Sequence, residues 1–286
     1  MKRVEVTQDP GLAAMFFAAL EANRKRPGIV EQLPEVTLVR HQVTLDAAHI
    51  DRYKTLCGFS QAQGVPLIYP QMLTFALVMQ YMNSADCPWP ALGTVHLANL
   101  IEQTRSLQAA DTVRVEMATG KLFAHEKGQV YTLELRIFRD DEPVWRATQS
   151  LLRLGVKQPR GEPYASQVGG SAPLSCQAQF NAAANIGRRY GAVSGDRNPI
   201  HLSALSARLF GFRRAIAHGM WSKARALACV LPQQTLERVR VAVDFKTPLF
   251  LPAQPTLWTA RSNCAALFEV RDSRGQKPHL RGQLDY

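Results

Sequence analysis

Residues 190–220 read YGAVSGDRNPIHLSALSARLFGFRRAIAHGM, and the two ends of this stretch differ in character. The first part, Ser194-Gly195-Asp196-Arg197-Asn198-Pro199-Ile200-His201, is dense in turn formers. Pro199 restricts Asn198 to an extended backbone, so a carboxylate (Asp196) and an imidazole (His201) are held in one fixed loop, with Asn198 and Pro199 as positioning residues. The last part, Ala217-His218-Gly219-Met220, opens an apolar run that reaches Leu231 and predicts a helix. A helix N-terminus has unpaired backbone N–H groups and a partial positive charge, and a glycine there admits close approach. An acid, an imidazole and a donor-bearing helix end are thus encoded together.

Working outward, the chain repeats itself faintly with a period of about 140 residues. Leu45-Asp46-Ala47-Ala48 precedes Arg52-Tyr53 and Gly58, as Phe180-Asn181-Ala182-Ala183 precedes Arg189-Tyr190 and Gly195. Asp46 and Asn181 are the expected N-caps of equivalent helices. Tyr69-Pro70-Gln71-Met72 then opens an apolar helix through Met82, the counterpart of the helix at 217–231. Both runs are apolar nearly all round, which predicts helices wrapped by other structure. Strand signals follow each one. Val113, Val115 and Met117 alternate with polar residues, as do Tyr131, Leu133, Leu135 and Ile137, and Val239, Val241, Val243 and Phe245. Residues 139–143 and 274–278 read as hairpin turns. A buried helix followed by antiparallel strands, twice over, is an α+β pattern of a sheet curled around a helix. The Gly-, Pro- and Ser-rich segment 156–175 reads as a linker between a first domain, 1–155, and a second, 176–286. A surface helix is expected over residues 9–24, capped by Asp9 with Pro10 in its first turn.

Residues 190–207 resemble the hydratase 2 signature of MaoC-like (R)-specific enoyl-CoA hydratases and dehydratases. The resemblance is carried by Tyr190, Ser194-Gly195-Asp196, Asn198-Pro199-Ile200-His201 and Ala207, and continues through Gly211-Phe212 and Ala217-His218-Gly219-Met220. Less specifically, residues 67–73 and 92–99 resemble the degenerate first half of two-domain members. The resemblance implies a double hotdog fold. It implies an enzyme of fatty acyl metabolism, a hydro-lyase interconverting a trans-2-enoyl thioester and an (R)-3-hydroxyacyl thioester. Asp196 and His201 would hold and activate one water, and the backbone N–H of Gly219 would stabilise the thioester oxygen. Taken alone, Ser-Gly-Asp is an ordinary turn, a single histidine is an ordinary core residue, and a glycine at a helix start is an ordinary cap. The combined spacing is what favours chemistry. His218 and Tyr190 are read as structural. The first half has no counterpart of Asp196 or His201 between Gly58 and Tyr69, and Pro70 and Gln71 stand where His218 and Gly219 stand. A non-catalytic acyl-thioester-binding subunit and a hotdog thioesterase are the rival readings, because fold alone does not separate them.

The formal net charge is +11. Without a nucleic-acid motif, that charge points to a phosphorylated small molecule or an acidic protein. Arg188, Arg189, Arg197, Arg208, Arg213 and Arg214 all lie near the motif. Either they form a solvated basic face, or Arg208, Arg213 and Arg214, with Asn198, bind substrate through the phosphates of coenzyme A or an acyl carrier protein. No cofactor and no metal are expected, coenzyme A or phosphopantetheine being part of the substrate. Five scattered cysteines without paired spacing predict free thiols in a reducing, cytoplasmic setting. The beginning of the chain lacks the order of a signal peptide, and no segment is long and apolar enough for a membrane span. A homodimer of double hotdogs is compatible with this reading.

Overall fold

In the computed structural model, which describes residues 2–7, 18, 21, 22, 24, 25 and 27–286, the chain divides into two compact units. The helix expected over residues 9–24, with its Asp9 cap, lies outside the described residues for most of its length.

The first unit comprises Met1–Thr44, Pro70–Thr104 and Asp111–Ser166. Its strands are β1 (Lys2–Glu5), β2 (Val36–Thr44), β3 (Thr94–Gln103), β4 (Thr112–His125), β5 (Gly128–Arg139) and β6 (Glu142–Leu154). They lie side by side in the order β1-β2-β4-β5-β6-β3. All pairs are antiparallel except β1 with β2. The expected alternation holds: Val113, Val115, Met117, Tyr131, Leu133, Leu135 and Ile137 are all buried. The β5–β6 turn places Asp140 and Asp141 at φ 51° and 59°. That left-handed pair matches the twist of a two-residue hairpin. The helix expected to run unbroken from Met72 comes in two pieces, α2 (Pro70–Leu73) and α3 (Phe75–Asn83). Between them the Thr74 hydroxyl donates back to the Gln71 carbonyl at 2.7 Å. A side chain that bonds the local backbone competes with the helical ladder. Leu77, Val78, Tyr81 and Met82 face inward on α3, which packs on β2 and β4.

The second unit comprises Leu45–Tyr69, Arg105–Ala110 and Gln167–Tyr286. Its strands are β8 (Ser175–Gln179), β9 (Val239–Phe245), β10 (Thr256–Arg261), β11 (Ala265–Arg271) and β12 (Pro278–Asp285), ordered β9-β12-β11-β10-β8 and all antiparallel. Four helices and a short helical turn join them: α1 (Ala47–Cys57), α4 (Ile186–Ser194), α5 (Pro199–Leu202), α6 (Ala204–Arg208) and α7 (Gly219–Val230). Eight of the twelve residues of α7 are buried, and it packs on β11 and β12 as the wrapped helix of this unit.

A division of the chain at 156–175 differs from the observed one in two respects. First, α1 and the segment after it group with the second unit, where α1 packs on α4 and α7. Second, the expected linker is held at both ends. Glu162–Pro163 (β7) pairs with Phe123 and Ala124 of β4, and the Gly169 N–H donates to Gln283 at 3.0 Å. Asp46 caps α1 as expected, its carboxylate accepting from the N–H groups of Ala48 (2.8 Å) and His49 (3.1 Å). Asn181 is not the equivalent cap. Its neighbour Ala182 is bridged to Ala253, which keeps this segment extended, and α4 begins only after Asn185. All five cysteines are free, and burial pushes the Cys57 thiol up to about 12. No helix among the described residues is long and apolar enough to cross a membrane.

Candidate active site

The loop that carries the acid begins where α4 ends. Gly195, at φ 81°, caps the helix in the left-handed conformation and donates to the Gly191 carbonyl at 3.1 Å. The chain then turns sharply. The Asp196 carboxylate accepts from the Asn198 N–H at 3.1 Å, and the Asn198 side chain in turn accepts from the Ile200 N–H at 3.3 Å. Asn198 is extended (φ −56°, ψ 126°), as a residue before proline must be, and Pro199 is the first residue of α5. Asn198 and Pro199 therefore sit where positioning residues are expected, fixing the span between Asp196 and His201.

The loop presses against α4 through two glycines that the sequence reading did not single out. A Cβ at Gly187 would lie 1.9 Å from the His201 carbonyl oxygen, and one at Gly191 2.7 Å from that of Asp196. Residues four apart share a helix face. Gly187 and Gly191 thus form a bare strip into which both ends of the loop settle. Their i, i+4 spacing was the available signal. From α1, His49 adds a second support, bonding the Val193 carbonyl at 2.8 Å and the Tyr69 hydroxyl at 2.8 Å.

His201 is 9% exposed, and its Nδ1 lies 2.8 Å from the Ile216 carbonyl oxygen. A carbonyl only accepts, so Nδ1 carries the proton and the neutral ring presents Nε2 as a bare base. Burial holds its pKa below the ordinary value, opposed by the Asp196 charge and by the Ile216 bond. His218 is more enclosed, at 3% exposure. Its Nε2 donates to the Asp196 carbonyl at 3.0 Å and lies 3.7 Å from the Asp196 carboxylate. Its ring stacks on that of His201 with centroids 3.7 Å apart, and Tyr190 packs on it at 4.9 Å. Burial, then the adjacent His201, push the His218 pKa down to about 4. At neutral pH it is therefore a dipole beside Asp196 and not the cation of an ion pair. Its Nδ1 finds no partner among the described residues.

Linear spacing suggested no metal cluster, but the fold brings donor atoms of Asp196, His201 and His218 within 4.8 Å of one another. Nδ1 of His201 and Nε2 of His218 are already turned to backbone carbonyls.

Gly219 is the first residue of α7, and His218 is its cap. A Cβ at Gly219 would meet the Phe245 ring at 2.8 Å. Close packing of the Phe245 ring on the helix start is therefore a reason for the glycine that the sequence reading did not give. Arg208, Arg213 and Arg214 are exposed on the segment after His201. The guanidinium groups of Arg213 and Arg214 lie over Phe250, at 4.7 and 5.7 Å. Tyr190 is buried, 6.3 Å from Tyr53 of α1 between ring centroids, and is a core residue as read.

Residues 174–281 match the family model described as MaoC like domain. The 3-hydroxyacyl-thioester dehydratase X of Mycobacterium tuberculosis is 32% identical over 276 residues, which cover 96% of this chain and 98% of that protein. The chain belongs to the MaoC-like dehydratase family. A crystal structure of HtdX from the same organism superposes with a TM-score of 0.75 at 29% identity, covering 87% of this chain and 98% of that one. A MaoC-like dehydratase from Phytophthora capsici shares the fold at 17% identity, with a TM-score of 0.73 over 89% of this chain and 95% of its own. A further M. tuberculosis protein, described as having a double hotdog fold, matches at 11% identity with a TM-score of 0.55 over 90% of this chain and 96% of its own. This MaoC-like chain is a double hotdog, as the repeat and the motif implied.

Two outcomes follow from this geometry. Gly187→Ala should destabilise the protein by more than the few tenths to 1 kcal/mol of an ordinary glycine change, because the methyl collides with backbone rather than a mobile side chain. A denaturant midpoint equal to wild type would show that the loop does not rest on α4. The His218 pKa is depressed on folding, so its contribution to stability is full above the unfolded value near 6.5 and is lost as pH falls toward 4. The loss should reach roughly 3 kcal/mol at pH 4. Urea titrations across that window should show this slope in wild type and a much smaller one in His218→Gln, which can still donate to the Asp196 carbonyl.

Proposed function

We propose that this protein is a hydro-lyase that interconverts a trans-2-enoyl thioester and the (R)-3-hydroxyacyl thioester. The observation that carries the reading is the fixed tautomer of His201, a bare Nε2 on a buried neutral ring beside the Asp196 carboxylate. In the hydration direction, a water held between Asp196 and His201 gives a proton to the dyad as its oxygen bonds the β-carbon. Charge passes through the conjugated system to the thioester oxygen, where the Gly219 N–H at the start of α7 stabilises it. The dyad returns a proton to the α-carbon, so one water is added in sum. Dehydration runs the same steps in reverse. The acid, base and oxyanion donor all come from the chain, so the reading uses no cofactor. Coenzyme A or phosphopantetheine enters as part of the substrate. The reading draws support from the relative named as a 3-hydroxyacyl-thioester dehydratase, which is similar over nearly the whole chain.

His218 has a supporting role in this reading. It holds the Asp196 carbonyl and covers one face of the His201 ring, and its neutrality keeps a second positive charge away from the dyad when His201 takes a proton. Arg208, Arg213 and Arg214 would receive the phosphates of the thioester carrier, with Asn198 at the edge of the same loop.

Asp196→Asn and His201→Gln should each lower hydration of an enoyl-CoA by about 10²- to 10⁴-fold, the usual worth of a proton-transfer group. Loss of absorbance at the enoyl-thioester band reports the rate, and chiral analysis of the product reports its hand. Near-wild-type turnover in either folded variant would remove the dyad from the mechanism, and an (S) product would refute the stereochemistry. Because burial lowers the His201 pKa, the acid limb of kcat/KM should fall below the ordinary imidazole value near 6.5. Salt offers a separate check on the arginines. Exposed charges are screened over a Debye length of about 8 Å at physiological ionic strength. Raising salt should therefore raise KM for an acyl-CoA while leaving kcat nearly unchanged, and alanine at Arg208, Arg213 or Arg214 should weaken that dependence. A KM flat across salt and across all three variants would place the phosphates elsewhere.

A further inference from the structure

We infer that Leu205, Leu209 and Phe210, with the arginines beside them, form a docking surface for an acidic carrier protein that presents the acyl thioester to the dyad. This inference rests on the thioester hydro-lyase reading above. Leu205 is 74% exposed, Leu209 80% and Phe210 38%. Three large apolar side chains thus face solvent within six consecutive residues. Local bonding turns them outward. The Ser203 side chain caps α6 by accepting from the Ser206 N–H at 3.0 Å, and the Ser206 hydroxyl donates to the Pro199 carbonyl at 2.7 Å. Ala207 is fully buried. With Ser206 and Ala207 fixed inward, Leu205 and Leu209, four residues apart, share the outer face of the turn. Hydrophobic residues scattered singly on a surface need no explanation, but a contiguous group set among charges marks a contact.

Along the chain on either side of this group the charge is nearly all of one sign. Between residues 164 and 236 the only acidic residue is Asp196, against the exposed Arg188, Arg189, Arg197, Arg208, Arg213 and Arg214; Lys223 is buried in α7, and Arg225 bonds the Cys57 carbonyl. Arg213 and Arg214 are steadied over Phe250, a contact that leaves their charge available. A second copy of a chain of net charge +11 would bring like charge onto this face. Coenzyme A would use the arginines but has no need of exposed leucines. An acidic protein uses both kinds of residue: the arginines steer it and fix its orientation, and the apolar trio is covered on contact. The place in the fold agrees. Ser203 closes α5, which carries His201, and opens α6, which carries Leu205. A partner seated on α6 would hold its tethered thioester beside the base.

The test compares one acyl group, trans-2-octenoyl, on a bacterial acyl carrier protein and on coenzyme A, in wild type and in the Leu205→Ser/Leu209→Ser double variant. The double variant should raise KM for the carrier-protein substrate by about tenfold or more with kcat retained, while KM for the coenzyme A substrate stays within about twofold. Fluorescence anisotropy of labelled holo-carrier protein reads docking without turnover, and the double variant should weaken it in parallel. Equal effects on the two carriers, or none on either, would overturn the surface. So would a change from dimer to monomer in the double variant, which would make this an interface between copies, or loss of binding to phosphatidylglycerol vesicles without loss of carrier-protein binding. Absence of turnover on both carriers with docking intact would instead refute the hydro-lyase reading and leave the surface standing.

Discussion

The hydrogen bond from His218 to the Asp196 carbonyl joins the two distant parts of the sequence that make up the candidate site. Asp196 lies at the start of one loop and His218 at the start of the long buried helix, more than twenty residues later. The bond fixes the backbone at Asp196, and the stacking of His218 on His201 fixes the plane of that ring. A charged imidazole in this position would be expensive, because burial strongly disfavours the cation and a protonated His201 would repel it. The neutral ring avoids both costs and still donates through Nε2. The buried Nδ1, without a partner among the described residues, is what remains of the polar cost, and it is small beside that of an enclosed unpaired charge.

The same logic explains why the two halves of the chain differ. In the first unit, Gln71 occupies the position matching Gly219. Its side-chain amide donates to Gln149 of β6 at 3.3 Å and accepts from Asn99 of β3 at 3.2 Å. A helix start that in the second unit is bare backbone is here filled by a polar side chain bonded to the sheet. Pro70 also removes the N–H that a counterpart of His218 would offer. The first half retains the sheet and helix without counterparts of Asp196, His201 and Gly219. Its α1 has a different use. It groups with the second unit, where His49 bonds the Val193 carbonyl in the last turn of α4.

Much of this was legible in residues 190–220. The S-G-D-x-N-P-x-H run fixes its own backbone through Asn198 and Pro199, so local rules read it well, and the period-two alternation of 113–117, 131–137 and 239–245 gave the strands. What was not legible depends on partners distant in sequence. Asn181 looks like Asp46 in its local setting, but pairing of Ala182 with Ala253 keeps it out of the helix. Thr74 looks like any residue in an apolar helix until its hydroxyl turns back on Gln71. Segment 156–175 has the composition of a free linker, yet its ends are held to β4 and to Gln283 of β12. Gly187 and Gly191 carry no local turn signal at all, since the backbone that requires them arrives from residues 196 and 201.

Gly219 shows how a residue can answer to packing and chemistry at once. The Phe245 ring fills the space where its side chain would be, so a larger residue would have to displace that ring, which β9 carries. A residue that pressed on the helix start instead would disturb His218, which precedes it, and with His218 the bond to Asp196 and the stack on His201. The position is constrained from the sheet side before any substrate arrives. The first N–H groups of α7 then remain unpaired within the helix, as they must at any helix start. In the proposed reaction the Gly219 N–H would be a preorganised donor, which costs no rearrangement when negative charge develops on the thioester oxygen. In the proposed mechanism one missing side chain would serve both the helix–sheet contact and the approach of the thioester oxygen to the helix start.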